Sequence, residues 1–168
     1  VLADLRGPKI RIESFDDGPV TLEPGDTFTL YARPDAPMGT HEGVGVTYHQ
    51  LVDDVKPGDT LLLDDGLIAM LVETVDGTDI RCRVEVGGVL HNRKGLNLQG
   101  GGLSVPGLAD HDIPDIKLAA EMGVDYLAVS FASSAADMNN ARKLLREAGG
   151  HAALVSKIER AEAIECLD

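Results

Sequence analysis

The chain has 168 residues, 43% of them apolar, and a formal charge of −13 from 15 basic and 28 acidic side chains. That apolar share, with a mean hydropathy of −0.02, supports a packed core and excludes a disordered chain. The acidity argues against nucleic-acid binding through a basic face, and no apolar run approaches the ~20 residues that cross a bilayer.

No signal-peptide pattern opens the chain. Cys82 and Cys166 lie far apart without a CxxC or CxxH companion, against a disulfide framework or zinc site. This cysteine usage is compatible with a reducing cytosol.

The first element is an apolar strand, VLAD, running into DLRGPKIR at residues 4–11. Gly7-Pro8 bends the chain there, because the proline ring fixes φ and the residue before it avoids the α region. From Glu13 to Asn97 the texture is all-β. VTLEPGDTFTLYA, GVGVTYHQL, DTLLLDDGLIAMLVETV and DIRCRVEVGGVL are β-branched runs separated by PGD, KPGD, DDG and DGT turns. Short strands at such spacing predict a small barrel or sandwich.

After Pro106 helix and strand alternate. DHDIPDIKLAAEMG predicts a helix with Ile113, Ile116, Leu118, Ala119 and Met122 as its apolar stripe. VDYLAVSF follows as a strand, and AADMNNARKLLREAGG as a helix presenting Met138, Ala141, Leu144 and Leu145. AALVSKIE is the last strand, and RAEAIECLD begins a further helix. Short connections between such units signal a parallel sheet or (β/α) barrel.

VLADLRG matches these later strands better than the β-rich middle. The predicted architecture is thus part of a TIM (β/α)8 barrel interrupted by an inserted small all-β barrel. Residues 1–12 and 99–168 are assigned to the host domain and 13–98 to the insertion. Because VLADLRG reads as a buried strand and ERAEAIECLD as the opening turns of a helix, the chain is expected to be a piece of a longer one.

Polar groups close three apolar strands, at VLAD-LR, YLAV-SF and AALVS-KIE, where such barrels carry their sites. Lys157 and Glu159 are two apart and share a face. They form either a plain salt bridge or a working pair, with Glu159 on a divalent metal and Lys157 facing charge that develops on a substrate oxygen. Asp4 and Arg6 stand in the same spacing and read first as an intrastrand ion pair. Asp64-Asp65-Gly66 is a hairpin turn whose acids could also hold a metal-bound phosphate. NRKG at 92–95 and the glycine-rich stretch after it suit either a phosphate cradle or a flexible linker. The five histidines share no spacing and receive no ligand role. Tyr31, Tyr48 and Tyr126 read as core or semi-buried aromatics, and neither a P-loop nor a dinucleotide fingerprint is present.

Taken together, DLRGPKIR, LLLDDGLIAMLVE, NRKGLNLQGGGLSVPGLADHDIPDI, GVDYLAVSFASSAADM and LVSKIER resemble pyruvate kinase, in collinear order over nearly the whole chain. The resemblance implies phosphoryl transfer between phosphoenolpyruvate and ADP, giving pyruvate and ATP, with the β-rich domain closing over the barrel as a lid. By position, Lys157 resembles the lysine that stabilises the enolate and the transferred phosphoryl. Glu159 resembles a ligand of magnesium (or manganese). Arg11, Asp65 and Lys94 match residues that contact the nucleotide phosphates or their metal. Asp4, the carbonyl of Leu5 and the hydroxyl of Ser130 match positions around a monovalent-cation site.

Lys9 stands where the family carries Glu or Lys. With Leu5 and Ile12 it follows the pattern of the potassium-independent forms, so the resemblance implies a tethered ammonium in place of potassium. It further implies a cytoplasmic, homotetrameric parent enzyme with no nucleic-acid or membrane partner. Departures are Gln99 for a common proline, Ser133 for a common arginine, and Arg160 and Ala161 in place of the usual ENQEG pattern. The family's NFSHG-type and RGDLG segments and its regulatory domain lie outside these residues, so the isolated chain is predicted to be inactive. The rival readings are a phosphate- or nucleotide-binding β-module without catalysis, and another phosphoenolpyruvate or oxo-acid barrel enzyme. The flanking sequence discriminates the first, and DDGLI with the β insertion speaks against the second.

Overall fold

The computed structural model describes residues 1–167. In chain order its elements are β1 (Leu2–Asp4), β2 (Val20–Leu22), β3 (Thr27–Tyr31), β4 (Gly43–Gly45), α1 (Leu51–Asp54), β5 (Thr60–Leu63), β6 (Ile68–Asp76) and β7 (Asp79–Val86). They continue with β8 (Gly88–Leu90), β9 (Leu96–Leu98), α2 (Asp112–Glu121), β10 (Tyr126–Val129), α3 (Ala135–Glu147), β11 (Ala153–Ser156) and α4 (Ala161–Ile164). The chain divides into two compact units, one of residues 1–9 with 105 onward, the other of residues 10–104.

The first unit is a parallel sheet in the order β1-β10-β11, with α2 and α3 as the crossovers. Parallel neighbours need such long connections, and helices supply them while covering one sheet face. Register places Leu2, Ala3 and Asp4 beside Tyr126, Leu127 and Ala128, which in turn lie beside Ala153, Leu154 and Val155. Leu127 and Val129 are buried with Ile116 and Ala119 of α2 and Ala141 and Leu145 of α3. The expected α3 stripe is realised, with Met138 and Leu144 packed against this core beside Ala141 and Leu145, while the α2 stripe is half realised. Ile116 and Ala119 enter this core, whereas Ile113, Leu118 and Met122 are exposed. The arrangement is part of a (β/α) barrel, with the β-rich unit inserted between β1 and α2.

α3 begins with a capping box. The Ser134 hydroxyl accepts from the Asp137 amide, and the Asp137 carboxylate accepts from the Ser134 amide at 3.2 Å. The same carboxylate oxygen takes the Ser133 amide and hydroxyl at 2.9 and 2.8 Å. Burial opposes ionisation of Asp137, but these hydrogen bonds outweigh it and hold the carboxyl below the usual range.

In the second unit a six-stranded sheet runs β4-β3-β7-β6-β5-β9 and a two-stranded one pairs β2 with β8. Alternation sets the core: Phe28 and Leu30, Leu61 and Leu63, Ile68, Met70 and Val72, Ile80, Cys82 and Val84 all point inward. Burial, helped by nearby Glu73, pushes the Cys82 thiol up to about 12, so it behaves as a small apolar group. The short segment Arg11–Ile12 joins the two edges of the large sheet. Ile12 pairs with Val46 just past β4, and Arg11 with Gly95 just before β9. The all-β expectation needs one correction: QLVDD forms the single-turn helix α1, pinned by buried Leu51 and by Asp54, which accepts from the Tyr48 hydroxyl at 2.7 Å. Among the described residues no helix is long and apolar enough to cross a membrane.

The low carboxyl range of Asp137 gives a stability prediction. Its contribution is complete above the unfolded carboxyl value of about 3.9 and is lost as pH falls through the lower folded value. Asp137→Asn should therefore destabilise the protein at neutral pH and cost much less at about pH 2. Urea denaturation at both pH values measures this, and an equal penalty at both would refute it.

Candidate functional site

The three parallel strands end on one edge, and their last residues converge. β1 ends at Asp4, β10 runs into Ser130, and β11 into Lys157. The ladder continues past the strands through Leu5 N–H to Ala128 and Lys157 N–H to Val129, at 2.9 and 3.0 Å. This places the Lys157 ammonium 3.1 and 3.2 Å from the two Asp4 carboxylate oxygens and 2.9 Å from Ser130 Oγ. The buried Ser130 hydroxyl donates to the Leu5 carbonyl at 2.7 Å, which leaves its oxygen to accept from Lys157.

Glu159 also approaches the ammonium, with Oε1 at 3.6 Å. Its Oε2 accepts from the Phe131 amide at 3.1 Å. Phe131 holds φ of +57°, a conformation uncommon for a bulky residue and one that concentrates at functional sites. Asp4, Ser130, Lys157 and Glu159, each anticipated, are therefore brought together. Lys157 keeps 30% of its side chain exposed, so the ammonium remains open to an anion while two carboxylates fix it.

Two carboxylates beside one ammonium leave a net negative corner suited to a cation. A magnesium ion takes near-octahedral oxygen ligands and keeps several waters, needing one or two protein carboxylates plus phosphate. Glu159 fits as one such ligand. No group of three or more His, Cys, Asp or Glu side chains gathers among the described residues, so the chain offers a ligand and not a cage.

The ion pairing differs from the expected intrastrand pair. Arg6 turns away from Asp4 and binds Asp115 of α2, with Nη2 at 2.9 Å and Nε at 3.2 Å from one carboxylate oxygen. Asp4 takes Lys157 instead, because the parallel register brings β11 to the same edge. Lys9 is exposed just beyond the bend, and its amide donates to the Gly7 carbonyl at 2.9 Å. Ser133 spends its hydroxyl on the α3 cap. Sequence reasoning missed Asp112, a fully buried carboxylate at the start of α2. The DHDIPD run could have flagged it, but acids at a helix start are ordinary.

The second unit gathers its own polar group around Gly95. Arg11 is bridged to Gly95 through the backbone, and its guanidinium donates to the Arg93 carbonyl at 2.6 Å. The Asp64 amide donates to the Gly95 carbonyl at 3.1 Å, and the Asp64 carboxylate meets the Lys94 ammonium at 2.8 Å. The β5–β6 turn has positive φ at both Asp64 and Asp65, with Gly66 N–H closing onto the Leu63 carbonyl at 3.1 Å. This is the primed hairpin geometry, which short polar side chains tolerate. It leaves Asp65 exposed at the tip, and makes Asp64 the partner of Lys94.

A family model described as "Pyruvate kinase, barrel domain" matches residues 1–168. Among curated relatives, a "Pyruvate kinase" of Haemophilus influenzae is 50% identical over 164 residues, 98% of this chain and 34% of that protein. "Pyruvate kinase II" of Salmonella typhimurium is likewise 50% identical over 164 residues, again 98% of this chain and 34% of that protein. A "Pyruvate kinase" of Corynebacterium glutamicum is 42% identical over 168 residues, 100% of this chain and 35% of that protein. The chain thus spans about a third of the length of these relatives.

The Lys94–Asp64 contact is open to direct test. Asp64 is largely covered, which lifts the pair to the upper end of the range for surface ion pairs. A double-mutant cycle with Lys94→Gln and Asp64→Asn should give a coupling of about 1 kcal/mol in chemical denaturation. A coupling indistinguishable from zero would remove Asp64 as the group that holds Lys94.

Proposed function

The chain belongs to the pyruvate kinase family, and on that premise we propose that the protein it comes from moves the phosphoryl group of phosphoenolpyruvate to ADP, giving pyruvate and ATP. The observation that carries this reading is the meeting of Asp4, Ser130, Lys157 and Glu159 at the ends of three parallel strands. Strand ends of this kind are where (β/α) barrels hold substrates. We read the unit of residues 1–9 with 105 onward as part of the catalytic barrel and the unit of residues 10–104 as its inserted β domain, in a cytoplasmic homotetramer.

Phosphoryl transfer asks little covalent chemistry of a protein and much charge placement. In this reading the Lys157 ammonium faces the transferred phosphoryl and the enolate oxygen, where negative charge grows as the bond to phosphorus breaks. Asp4 and Ser130 hold that ammonium in place before substrate arrives, so its orientation costs little at the moment of reaction. Glu159 serves as one carboxylate ligand of a magnesium (or manganese) ion, which when bound neutralises phosphate charge. Arg11, Lys94 and Asp65 contact the nucleotide phosphates or their metal.

For the monovalent-cation corner formed by Asp4, Leu5 and Ser130, we propose that Lys9 supplies the charge potassium would bring. Its exposure just beyond the bend after β1 is compatible with that role.

Assay of the full-length enzyme with phosphoenolpyruvate, ADP and magnesium tests the main reading. Pyruvate should form, and Lys157→Met should lower turnover at least about 100-fold; an intact enzyme that forms no pyruvate would sink it. Turnover should also persist in potassium-free buffer, and Lys9→Glu should make it depend on potassium. Loss of turnover without potassium in the wild type would show the account of Lys9 to be wrong.

A further inference from the structure

We propose that Asp112 is a positioning residue for the strand-end site, acting through Gly7 on Ser130 and Phe131. This inference rests on the functional reading above. Asp112 is a fully buried ionisable group with no part in the chemistry so far described. One carboxylate oxygen makes the return bond of its own helix start, three residues back, and the other reaches outside the helix. Oδ1 accepts the Gly7 amide at 3.1 Å and Oδ2 the Ala109 amide at 2.9 Å. The His111 imidazole stands nearby, with Nε2 at 3.7 Å from Oδ1.

Those two amides belong to the loop that leaves β1 and the loop that leads into α2. A buried carboxylate held by two N–H donors has little freedom, and it fixes both loops against one point. Gly7 is the consequential one. It has φ of +64°, and a methyl group added there would fall 2.8 Å from Ser130 Cβ and 3.0 Å from Phe131 Cδ2. The Gly7 backbone therefore lies directly against both residues, with no space for a side chain between. Ser130 carries the hydroxyl that bonds Lys157 and the Leu5 carbonyl, and Phe131 carries the amide that bonds Glu159. Releasing Gly7 removes the backing from the two residues that hold the ammonium and the carboxylate. A shift of about 1 Å in such a group is enough to lower turnover by about 100-fold.

The test uses the full-length enzyme with Asp112→Asn. Asn keeps one acceptor oxygen and sets an NH2 against the second amide donor, so one of the two loops is released. Asp112→Ser, which also retains one acceptor, serves as the second variant. Circular dichroism and thermal melting establish the folded fraction, and phosphoenolpyruvate and ADP are varied separately at saturating magnesium. Per folded enzyme, kcat should fall at least about tenfold and KM for phosphoenolpyruvate should rise. KM for ADP should stay within about twofold, because Asp112 holds the Gly7 and Ala109 amides, and neither residue is among those read as contacting the nucleotide. Unchanged kinetics per folded enzyme would overturn the proposal. So would failure of both variants to fold, since Asp112 would then serve the fold and not the placement of the site. A wild-type enzyme that forms no pyruvate would instead overturn the underlying functional reading.

Discussion

The Lys157 ammonium joins the ends of all three parallel strands. It bonds Asp4 at the end of β1 and Ser130 just past β10, and it leads on to Glu159 after its own strand. Strand pairing alone would align these ends only to within the reach of a flexible side chain. The charge between two carboxylates, with a hydroxyl as third partner, selects one arrangement. Two negative groups on one positive group also leave the corner short of positive charge, a state favourable to a cation. Packing below supports the polar layer above: Leu5, Leu127 and Val129 are buried immediately beneath the residues that carry it.

In the β-rich unit the equivalent constraint is curvature. A six-stranded sheet has two edges, and unpaired edges invite unwanted pairing. Here a two-residue segment serves both, with Ile12 on one edge and Arg11 on the other. Arg11 is thereby fixed by the backbone it repairs, and its guanidinium is turned onto the Arg93 carbonyl. The hairpin between β5 and β6 brings Asp64 to the same place, where the Gly95 carbonyl and the Lys94 ammonium both meet it. Two aspartates with positive φ are a local strain that the surrounding bonds sustain.

Much of this was legible in the sequence. Alternating β-branched runs with Asp-Gly and Pro-Gly turns located most strands, and the shift to helical spacing after Pro106 located α2 and α3. The strand-end residues were legible as well, because a polar group that closes an apolar strand is unusual. What stayed hidden depends on register and three-dimensional proximity. Asp4 and Arg6 share a face by spacing, yet Asp4 pairs across two strands to Lys157 and Arg6 goes to a helix. Asp64 read as a turn residue or a holder of metal-bound phosphate, and its contact with Lys94 spans too many residues for any local pattern. α1 is a single turn, too short for periodicity to register. Asp112 was invisible because its meaning lies in its burial, and nothing in DHDIPD distinguishes a solvated helix acid from an interior one.

The carboxylate of Asp112 has a consequence for how such a protein can change over evolutionary time. It draws together the amides of Gly7 and Ala109, which flank the points where the chain leaves the first unit and comes back. The ends of the excursion are thus held by the host itself. Loop-closure entropy grows only slowly with length, by about 0.6 kcal/mol for each doubling. With the ends already secured, residues 10–104 form a cassette whose size the host scarcely feels. Lengthening a surface loop within it should therefore cost the host's fold little while that one acidic group remains at the neck.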